Sequence, residues 1–412
     1  MKIYKVGGCV RDKFLGKEPN DIDYVVVGST IEEMISLGYK QVGKDFPVFL
    51  NENGDEYALA RTERKCGSLH TDFLFDFNKN ITIYDDLLRR DFTCNAIAED
   101  IDTGEIIDPF NGRKDIGDGV LKLVNSETFK EDPLRVLRFC RFCAQLDFYP
   151  DDYTRVVCLS MVKDGMLNFI TEERVWKEFE KALKTSNFEK FIKVMDCTAT
   201  LEFLFPKIAK LKNVPEILSH HPEGNTYNHT LLTIKYADEH GYNEYEKFSL
   251  LLHDIGKYLT PKDVLPHHYG HEERGLSLID EICRIYKVPN SYKDIAKMCC
   301  KYHMSIRRLY EMKTGSIYDI VCDVTKGFKD YSNMQLLLNV AKADLYGRGK
   351  QPREERVKQF DECSKIASEM FEILKNVSAD MFPSLEKYKG KEFGEQLRVK
   401  KIQYYLDKRK PS

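Results

Sequence analysis

The chain has 412 residues, of which 42% are hydrophobic, 12% aromatic and 31% charged; this fits folded globular domains and excludes global disorder. It carries 63 Lys and Arg against 66 Asp and Glu, and the net charge of −3 excludes a uniformly basic nucleic-acid binder while allowing a local basic surface. No apolar run reaches the roughly 18 residues of a membrane span, and Arg11 and Asp12 come too early for a signal peptide, so we expect a cytoplasmic protein of about two to three domains.

The 12 cysteines are scattered along the chain, and several lie inside apolar segments. Cys140 and Cys143 form a single CxxC pair, without a second pair at the spacing of a zinc site. Cysteines in such settings usually behave as small buried hydrophobes. The pattern therefore predicts free thiols in a reducing compartment.

The order of the elements predicts an α+β fold. In the first 125 residues, runs rich in β-branched residues, separated by Gly and Pro, predict strands at four places: 2–6, 21–27, 57–62 and 81–84. From about residue 126 the pattern is helical almost to the end, with clear examples at 132–146, 171–185 and 187–196. Pro206, Pro215 and Pro222 mark a boundary before a helical segment that carries histidines, from about 225 to 345.

A glycine turn follows the first predicted strand. Gly7-Gly8-Cys9-Val10-Arg11-Asp12 leads from the strand into a predicted helix, and such a turn lets a backbone approach a phosphate, with Arg11 as a charged donor. Taken alone, the segment is better explained by a structural turn.

Asp21 and Asp23 are the first candidates for catalysis. Residues i and i+2 of a strand point to the same face, so the two carboxylates would lie side by side. An exposed strand edge is one explanation. A Mg²⁺ site is the other, because hard cations take carboxylate oxygens and bridge substrate phosphates. The glycine turn just before the pair favours the Mg²⁺ site.

Four ordered motifs over about residues 1–345 resemble those of class II tRNA nucleotidyltransferases, the CCA-adding enzymes. They are Gly7-Gly8-x-Val10-Arg11-Asp12 with Asp21-x-Asp23, Arg89-Arg90-Asp91-Phe92-Thr93-Cys94-Asn95-Ala96, Asp108-Pro109-x-x-Gly112-x-x-Asp115, and Glu131-Asp132-x-x-Arg135-x-x-Arg138. The resemblance implies a polymerase-β-like nucleotidyltransferase head, catalysis by Asp21 and Asp23 with Mg²⁺, and a set of nucleotide-binding residues: Gly8, Arg11, Arg90, Asp91, Asn95, Asp132, Arg135 and Arg138.

The last of these motifs suits the choice of cytosine and adenine. Both bases present an amino donor beside a ring-nitrogen acceptor, so an Asp acceptor beside an Arg donor fits them and leaves guanine and uracil mismatched. Asp132, Arg135 and Arg138 are spaced by three residues, which predicts one helix face. Without context, a solvated charge pair is the default explanation of this spacing. The resemblance implies the selecting role for Asp132 and Arg135.

A third group of candidates is rich in histidine. His253 and Asp254 are adjacent at the end of an apolar helix, and other potential ligands flank them at a distance in the chain: His229, His271, His303 and Asp344. This H…HD…H…H…D order is the pattern of HD-type metal phosphohydrolases, and imidazole ligands favour a transition metal such as Ni²⁺ or Mn²⁺. We interpret the neighbouring His267 and His268 as loop residues. With this segment, the resemblance is nearest to the γ-proteobacterial multifunctional type, and it implies hydrolysis of 2′,3′-cyclic phosphate or 2′-phosphate ends.

The sequence therefore predicts an enzyme that adds CCA to tRNA from CTP and ATP, as a monomer or homodimer without membrane contact. The predicted domains are a head at 1–125, an all-α neck and body at 126–224, an all-α HD domain at 225–345 and a tail at 346–412. Residues 384–412 hold nine Lys or Arg and four Asp or Glu, so this stretch either contacts tRNA or forms a solvated helix.

Two other functions stay open. The first is a bacterial poly(A) polymerase, which the residues at 43–47 disfavour because they lack a Gly-Arg-Arg-Phe-like segment. The second is a hydrolase whose head only binds RNA, which the carboxylate pair disfavours. A third metal carboxylate, Glu63 or Asp72, cannot be chosen from spacing.

Overall fold

The computed structural model describes residues 1–19, 21–42, 48–65, 73–76 and 78–409. The chain divides into two compact units, Met1–Leu204 and Phe205–Ser412. The strands of the described residues lie in the first unit, and the second is built from helices. Among the helices of these described ranges, none combines the length and the apolar character that a membrane crossing requires.

The strands follow the chain as β1 (Lys2–Val6), β2 (Asp23–Val27), β3 (Lys40–Val42), β4 (Val48–Leu50), β5 (Glu56–Leu59), β6 (Thr62–Lys65), β7 (Phe73–Asp76), β8 (Ala98–Asp100), β9 (Ile106–Ile107), β10 (Val120–Leu121) and β11 (Tyr149–Pro150). One mixed sheet has the order β3-β4-β5-β2-β1-β8-β9, in which β2 and β5 are parallel and the other neighbours are antiparallel. Strands β6 and β7 form an antiparallel hairpin, and β10 and β11 a short parallel pair.

The sheet has an apolar core on each face. Tyr4, Val6 and Val25 are buried in one core, and Val26 and Phe49 are buried in the other. This alternation follows from the period of two along a strand, and it fixes the register between β1 and β2.

Ten helices of the first unit are described: α1 (Gly8–Phe14), α2 (Ile31–Ser36), α3 (Ile83–Leu88), α4 (Gly112–Gly117), α5 (Ser126–Glu131), α6 (Leu134–Leu146), α7 (Asp152–Lys163), α8 (Glu172–Leu183), α9 (Phe188–Cys197) and α10 (Thr200–Leu204). Short 3₁₀ segments lie at Thr93–Asn95 and Met166–Phe169. Helix α6 packs against α8 and α9, and its apolar residues are almost all buried. The prediction of an α+β chain with a mixed sheet followed by helices is confirmed.

The second unit has nine described helices: α11 (Pro206–Ala209), α12 (Thr226–Glu239), α13 (Glu244–Leu252), α14 (His271–Ile285), α15 (Asn290–Ile306), α16 (Thr314–Val324), α17 (Ser332–Tyr346), α18 (Glu354–Leu374) and α19 (Gly390–Arg409). A 3₁₀ segment, Ile255–Leu259, follows α13. Gly256 on this segment and Gly275 on α14 meet closely, and a Cβ on Gly256 would lie 1.9 Å from a backbone oxygen. Glycine is therefore required where the segment crosses α14.

Two local predictions were wrong. The segment 81–84 is not a strand: Thr82 caps α3, and its hydroxyl accepts a hydrogen bond from the Asp85 amide while the Asp85 carboxylate accepts one from the Thr82 amide. Asp132 does not share the face of α6, because it lies before the helix in an extended conformation, with a φ of −116°. The following Pro133 explains this, since a residue before proline avoids the helical region.

The cysteines within the described ranges are free thiols, as predicted. Most of them are buried, whereas Cys197 is exposed. Burial raises the pKa of Cys94 and of Cys299 to about 12, which keeps both thiols protonated and unreactive at neutral pH.

Candidate functional sites

The first site lies at the turn between β1 and α1. Gly7 has a φ of 73°, and a Cβ there would lie 2.8 Å from a guanidinium nitrogen of Arg90, so only glycine fits. Asp23 pairs with Val6 in the register of β1 and β2, just before this turn, and Asp21 comes two residues earlier. Both carboxylate residues are exposed. The predicted metal carboxylates therefore lie next to the glycine turn, open to solvent.

A buried hydrogen-bond network joins α1 to α6. Arg11 Nη1 donates to Asn95 Oδ1 over 2.7 Å, Asn95 Nδ2 donates to Asp91 Oδ1 over 3.1 Å, and Arg138 Nε donates to Asp91 Oδ2 over 2.8 Å. Arg11 and Arg138 also face the ring of Phe142, at 5.5 and 5.2 Å from its centroid. The network thus brings together four of the predicted nucleotide-binding residues.

Asp86 holds the two neighbouring arginines of the second motif. Its side chain is fully buried and accepts hydrogen bonds from Arg89 Nη2 over 2.6 Å and from Arg90 Nη2 over 3.0 Å. Burial acts to raise the pKa of Asp86, but the two guanidiniums outweigh it and lower this pKa. The sequence analysis missed Asp86, although its spacing of three and four from the arginines on a predicted helix would have indicated the pairs.

We expect the Asp91 carboxylate to make part of the stability dependent on pH. Burial acts to raise its pKa, but Arg138, Arg135 and Asn95 lower it to about 2 from 3.8. A depressed carboxyl pKa stabilises the folded state above about pH 4, and this stabilisation, about 2 kcal/mol, is lost as the pH falls towards 2. Urea unfolding of the first unit between pH 5 and 2.5 should therefore show a steeper loss for the wild type than for Asp91→Asn. Equal slopes would contradict this assignment.

Asp132 and Arg135 flank the start of α6 with different partners. Asp132 Oδ1 accepts from the Leu134 amide over 3.0 Å, and its carboxylate pairs with Arg174 over 3.1 Å. Arg135 donates to the backbone oxygens of Arg89 and Thr128, over 2.6 and 3.0 Å. Arg135 therefore lies on the helix and against Arg89 of the second motif, whereas Asp132 lies before the helix and contacts Arg174. Arg174 was not predicted, and its position gives no sequence signal of this pairing.

The second site is a cluster in the second unit that brings all six predicted HD residues together. Asp254 lies at its centre: Oδ1 is 3.1 Å from His271 Nε2 and 3.5 Å from His303 Nε2, while Oδ2 is 3.3 Å from His253 Nε2 and 3.8 Å from His229 Nε2. The sixth predicted residue, Asp344, is 3.1 Å from His229 Nε2 through its Oδ1 atom.

Backbone carbonyls orient three of the histidine rings. The Nδ1 atoms lie at hydrogen-bond distance from carbonyl oxygens three residues earlier: His253 from Leu250 at 2.7 Å, His271 from His268 at 2.7 Å and His303 from Cys300 at 2.9 Å. Each Nδ1 atom therefore carries the proton, and each Nε2 atom is left to face the cluster with a lone pair.

The donor set fits a metal ion. The ligand atoms of His229, His253 and Asp344 lie within 4.8 Å of one another, and the same holds for Asp254, His271 and His303. Nε2 of His253 is fully buried and makes no hydrogen bond. A buried nitrogen without a hydrogen bond is costly in a protein interior unless it coordinates a ligand, so this atom supports metal binding at the cluster.

Buried cations balance the carboxylates of the cluster. Lys257 Nζ is 2.8 Å from Asp254 Oδ2 and 2.8 Å from Glu216 Oε1. Burial acts to raise the pKa of Asp254, but Lys257 and His253 outweigh it and hold this pKa well below its ordinary value. Asp344 pairs with Arg307 and, over 3.4 Å, with Arg348, and its pKa is lowered in the same way. Both carboxylates are therefore ionised and able to coordinate a cation.

Comparisons with known proteins match both parts of the first unit. A family model described as the poly A polymerase head domain matches residues 3–122, and one described as a probable RNA and SrmB-binding site of polymerase A matches 155–212. The chain is 42% identical to a multifunctional CCA protein of Haemophilus influenzae, over 84% of this chain and 85% of the relative. It is 41% identical to a multifunctional CCA protein of Pseudomonas fluorescens, over 98% and 97%.

The chain belongs to the family of the multifunctional CCA proteins. A solved structure of the Thermotoga maritima CCA-adding enzyme complexed with tRNA has the same fold, with a TM-score of 0.64 at 22% identity over 100% of this chain and 88% of that one. The predicted resemblance is thus confirmed, and so is the fold class: a polymerase-β-like nucleotidyltransferase head followed by helices.

Besides Lys257, Glu216 and Arg348, three further residues at the histidine cluster of this multifunctional CCA family member were not predicted. Glu223 Oε1 lies 3.0 Å from His229 Nδ1 and 2.9 Å from His221 Nδ1, so one carboxylate holds two rings. The third is Arg307, the partner of Asp344. The His221-Pro222-Glu223 spacing was a visible signal, whereas nothing near Arg307 in the chain indicates its role.

The remaining predictions for this family member concern residues 43–47, two candidate carboxylates, a loop histidine and the tail. Residues 43–47 and Asp72 lie outside the described residues, and for Glu63 the structure gives the backbone, which pairs with Phe75 in the hairpin. His268 contacts Thr260 over 2.8 Å and the Pro215 carbonyl over 3.0 Å, so it is fixed in its loop. In the tail, Arg398 on α19 binds Asp319 on α16.

Proposed function

We propose that this protein adds C, C and A in turn to the 3′ end of tRNA, using CTP and ATP and no nucleic-acid template. The observation that carries the proposal is the arrangement of the first unit, where Asp23 lies beside the Gly7 turn and the Arg11–Asn95–Asp91–Arg138 network lies behind it. Membership in the multifunctional CCA family supports the same activity.

In the proposed reaction, the 3′-hydroxyl of tRNA attacks the α-phosphorus of the nucleotide, and the bond to pyrophosphate breaks. Asp21 and Asp23 are exposed at the turn, and hard carboxylate oxygens are the ligands that Mg²⁺ prefers, so these two residues would hold it. Bound there, Mg²⁺ would stabilise the charge that develops on the phosphates. Arg90, placed against Gly7, would contact the triphosphate.

The base would be selected at the start of α6. Asp132 provides an acceptor, and Arg135, which donates to the backbone oxygens of Arg89 and Thr128, provides the guanidinium that would face the base edge. A mismatched base leaves a polar group unpaired, which costs about 1–3 kcal/mol and gives roughly tenfold to hundredfold selectivity per contact. Arg138, fixed by Asp91, would hold the nucleotide beside this pair.

One experiment tests the activity. A tRNA that lacks its CCA end is incubated with CTP, ATP, GTP and UTP, separately and together, and the product length is read on a gel. We expect two additions with CTP alone and three with CTP and ATP together. A long adenosine tail would identify a poly(A) polymerase instead, and binding without extension would identify a head that only binds RNA.

We expect Asp132→Ala and Arg135→Ala to weaken the choice of base more than the rate of addition. Removing the acceptor or the donor removes the penalty on guanine and uracil, so misincorporation of U and G should rise by about tenfold or more. The measurement is single-nucleotide incorporation of all four nucleotides, with the melting temperature recorded for each variant. Arg155→Ala, a partly exposed arginine on α7, is the matched control. Full discrimination in both variants would contradict the selecting role.

For the second unit we propose a metal-dependent phosphohydrolase that acts on 2′-phosphate and 2′,3′-cyclic phosphate ends. The six residues of the HD cluster would bind a transition metal such as Ni²⁺ or Mn²⁺, since imidazole nitrogens dominate the donors. The metal would activate water for attack on phosphorus. The two oxygens of Asp254 face different histidine pairs, so this residue can serve ligands on both sides.

The organisation of the chain completes the proposal. We assign the head to 1–125, the neck and body to 126–224, the HD domain to 225–345 and a tRNA-contacting tail to 346–412. The protein would act in the cytoplasm as a monomer or homodimer, with tRNA as its macromolecular partner.

A further inference from the structure

A cavity of about 430 Å³ in the second unit gives access to the HD cluster. Asp254, His271, His303 and Asp344 line its inner end, and we call it the metal-side cavity. A second cavity of about 490 Å³ is lined by residues before α16 and at the start of α18. The two are neighbours, because they share four lining residues: Met304, Arg307, Arg308 and Arg356.

We call the second cavity the arginine cavity, because its lining has more arginine side chains than carboxylates. Its charged lining residues are Arg307, Arg308, Arg353, Arg356, Glu311 and Glu355. Glu311 is already bound by Arg308 Nε over 3.0 Å and by the Tyr310 hydroxyl over 2.7 Å. Within the described residues, the guanidiniums of Arg353 and Arg356 make no hydrogen bond and no ion pair. With Arg307 paired to Asp344 and Arg308 to Glu311, the guanidiniums of Arg353 and Arg356 exceed the one remaining carboxylate of the lining, Glu355, so the cavity has an excess of positive charge.

Repulsion between arginines at the shared wall points to an anion. Arg307 and Arg356 line both cavities and Arg348 lines the metal-side cavity, so several guanidiniums face the same space. Asp344 pairs with Arg307 and Arg348 and also contacts His229, so it is committed to the cluster. A phosphate bound next to Arg356 would relieve this repulsion.

The dimensions and the lining favour a nucleotide chain over a small ion. Each cavity lies within the roughly 300–1,000 Å³ of ordinary ligand pockets, so the pair has room for two nucleotides. Phe360 and Tyr310 add aromatic surface to the arginine cavity, and bases stack on such rings. A mononucleotide with its phosphate at the HD cluster would leave the arginine cavity empty.

We propose that the arginine cavity binds the phosphodiester and nucleoside on the 5′ side of the terminal nucleotide, so that the hydrolase prefers RNA ends to mononucleotides. The inference rests on the hydrolase proposed above and names its substrate class. Arg353 and Arg356 would contact the phosphodiester, while the terminal phosphate lies at the HD cluster.

The test compares two substrates with the full-length, metal-loaded protein: adenosine 2′-phosphate and the adenosine dinucleotide that carries the same 2′-phosphate. We expect kcat/KM to be about tenfold higher for the dinucleotide. Arg353→Gln and Arg356→Gln should each lower the ratio of the two kcat/KM values by about tenfold, mainly through KM of the dinucleotide. Arg284→Gln, an exposed arginine on α14, is the matched control. The salt dependence of dinucleotide KM should also weaken in both variants.

Three results would overturn the inference. Equal kcat/KM for the two wild-type substrates, or an unchanged ratio in both variants, would show that the arginine cavity contacts no second nucleotide. If added inorganic pyrophosphate inhibits the wild type more strongly than Arg356→Gln while the ratio is unchanged, the cavity would be assigned to a free anion.

Failure of the hydrolase itself is a separate outcome. If the wild type cleaves neither substrate, the proposed hydrolase is wrong, and binding of a 5′-fluorescent dinucleotide is measured by anisotropy. In that case, equal Kd values for wild type and Arg356→Gln would overturn the arginine site independently.

Discussion

Asp21→Asn and Asp23→Asn should each lower the rate of nucleotide addition by about a thousandfold, which corresponds to about 4 kcal/mol of lost transition-state stabilisation. The amide keeps the size of the side chain but lacks the negative charge that a metal requires. Both residues are exposed beside the Gly7 turn, so the substitutions should leave the fold and the affinity for tRNA unchanged. Single-turnover extension of tRNA that lacks CCA measures the rate, and filter binding measures the affinity.

The matched control for this prediction is Glu18→Gln. Glu18 is an exposed carboxylate in the same loop, three residues before Asp21, and nothing in the proposal gives it a role. We expect it to add nucleotides at the wild-type rate. Near-normal rates in Asp21→Asn and Asp23→Asn would refute the catalytic assignment, and an equal loss in Glu18→Gln would show that the loop needs negative charge in general.

The second large effect is expected at the HD cluster. His253→Gln and Asp254→Asn should reduce phosphate release from a 2′-nucleotide by about a thousandfold and leave CCA addition unchanged. His253 offers the buried Nε2 atom that makes no hydrogen bond, and Asp254 lies within 4 Å of four histidine nitrogens. Losing either residue leaves the metal with an incomplete set of ligands.

The metal itself is tested in the same assay. Protein stripped with a chelator should be inactive as a hydrolase and should recover with Ni²⁺ or Mn²⁺ more fully than with Mg²⁺. Metal content measured after dialysis should fall in His253→Gln and Asp254→Asn. The control is His240→Ala, which changes an exposed histidine at the end of α12 and should keep the metal content of the wild type. A wild type without activity on any metal would show that the cluster is structural. Parallel loss of CCA addition would show that the two activities depend on each other.

The sequence predicted those features that depend on local spacing. Asp23 lies at the start of β2, whereas Asp21 lies two residues before the strand that was predicted to hold both, and the adjacent His253 and Asp254 both belong to the cluster. Contacts between residues that lie far apart in the chain were harder to predict. Arg307 binds Asp344, which lies 37 residues later in the chain, so only folding brings the two together. Such pairs have no fixed spacing, so a single sequence does not predict them.

The wrong placement of Asp132 has a different origin. A spacing of three residues predicted one helix face, but a proline inside the spacing moved the first residue off the helix. The proline was visible in the sequence and was interpreted only as a helix start. Asp86 was likewise visible, and it was missed because 81–84 had been assigned to a strand rather than to the capped turn that begins α3.

Arg135 and Arg138 lie about one turn apart on helix α6 and have different contacts. Arg138 is tied to the Asp91 carboxylate, whereas Arg135, three residues earlier, donates to the backbone oxygens of Arg89 and Thr128. Side chains at position 135 can therefore change without releasing the anchor that keeps the helix in place. We therefore expect single substitutions at position 135 to give variants with altered nucleotide preference. A library at position 135 should yield folded enzymes far more often than a library that includes position 138.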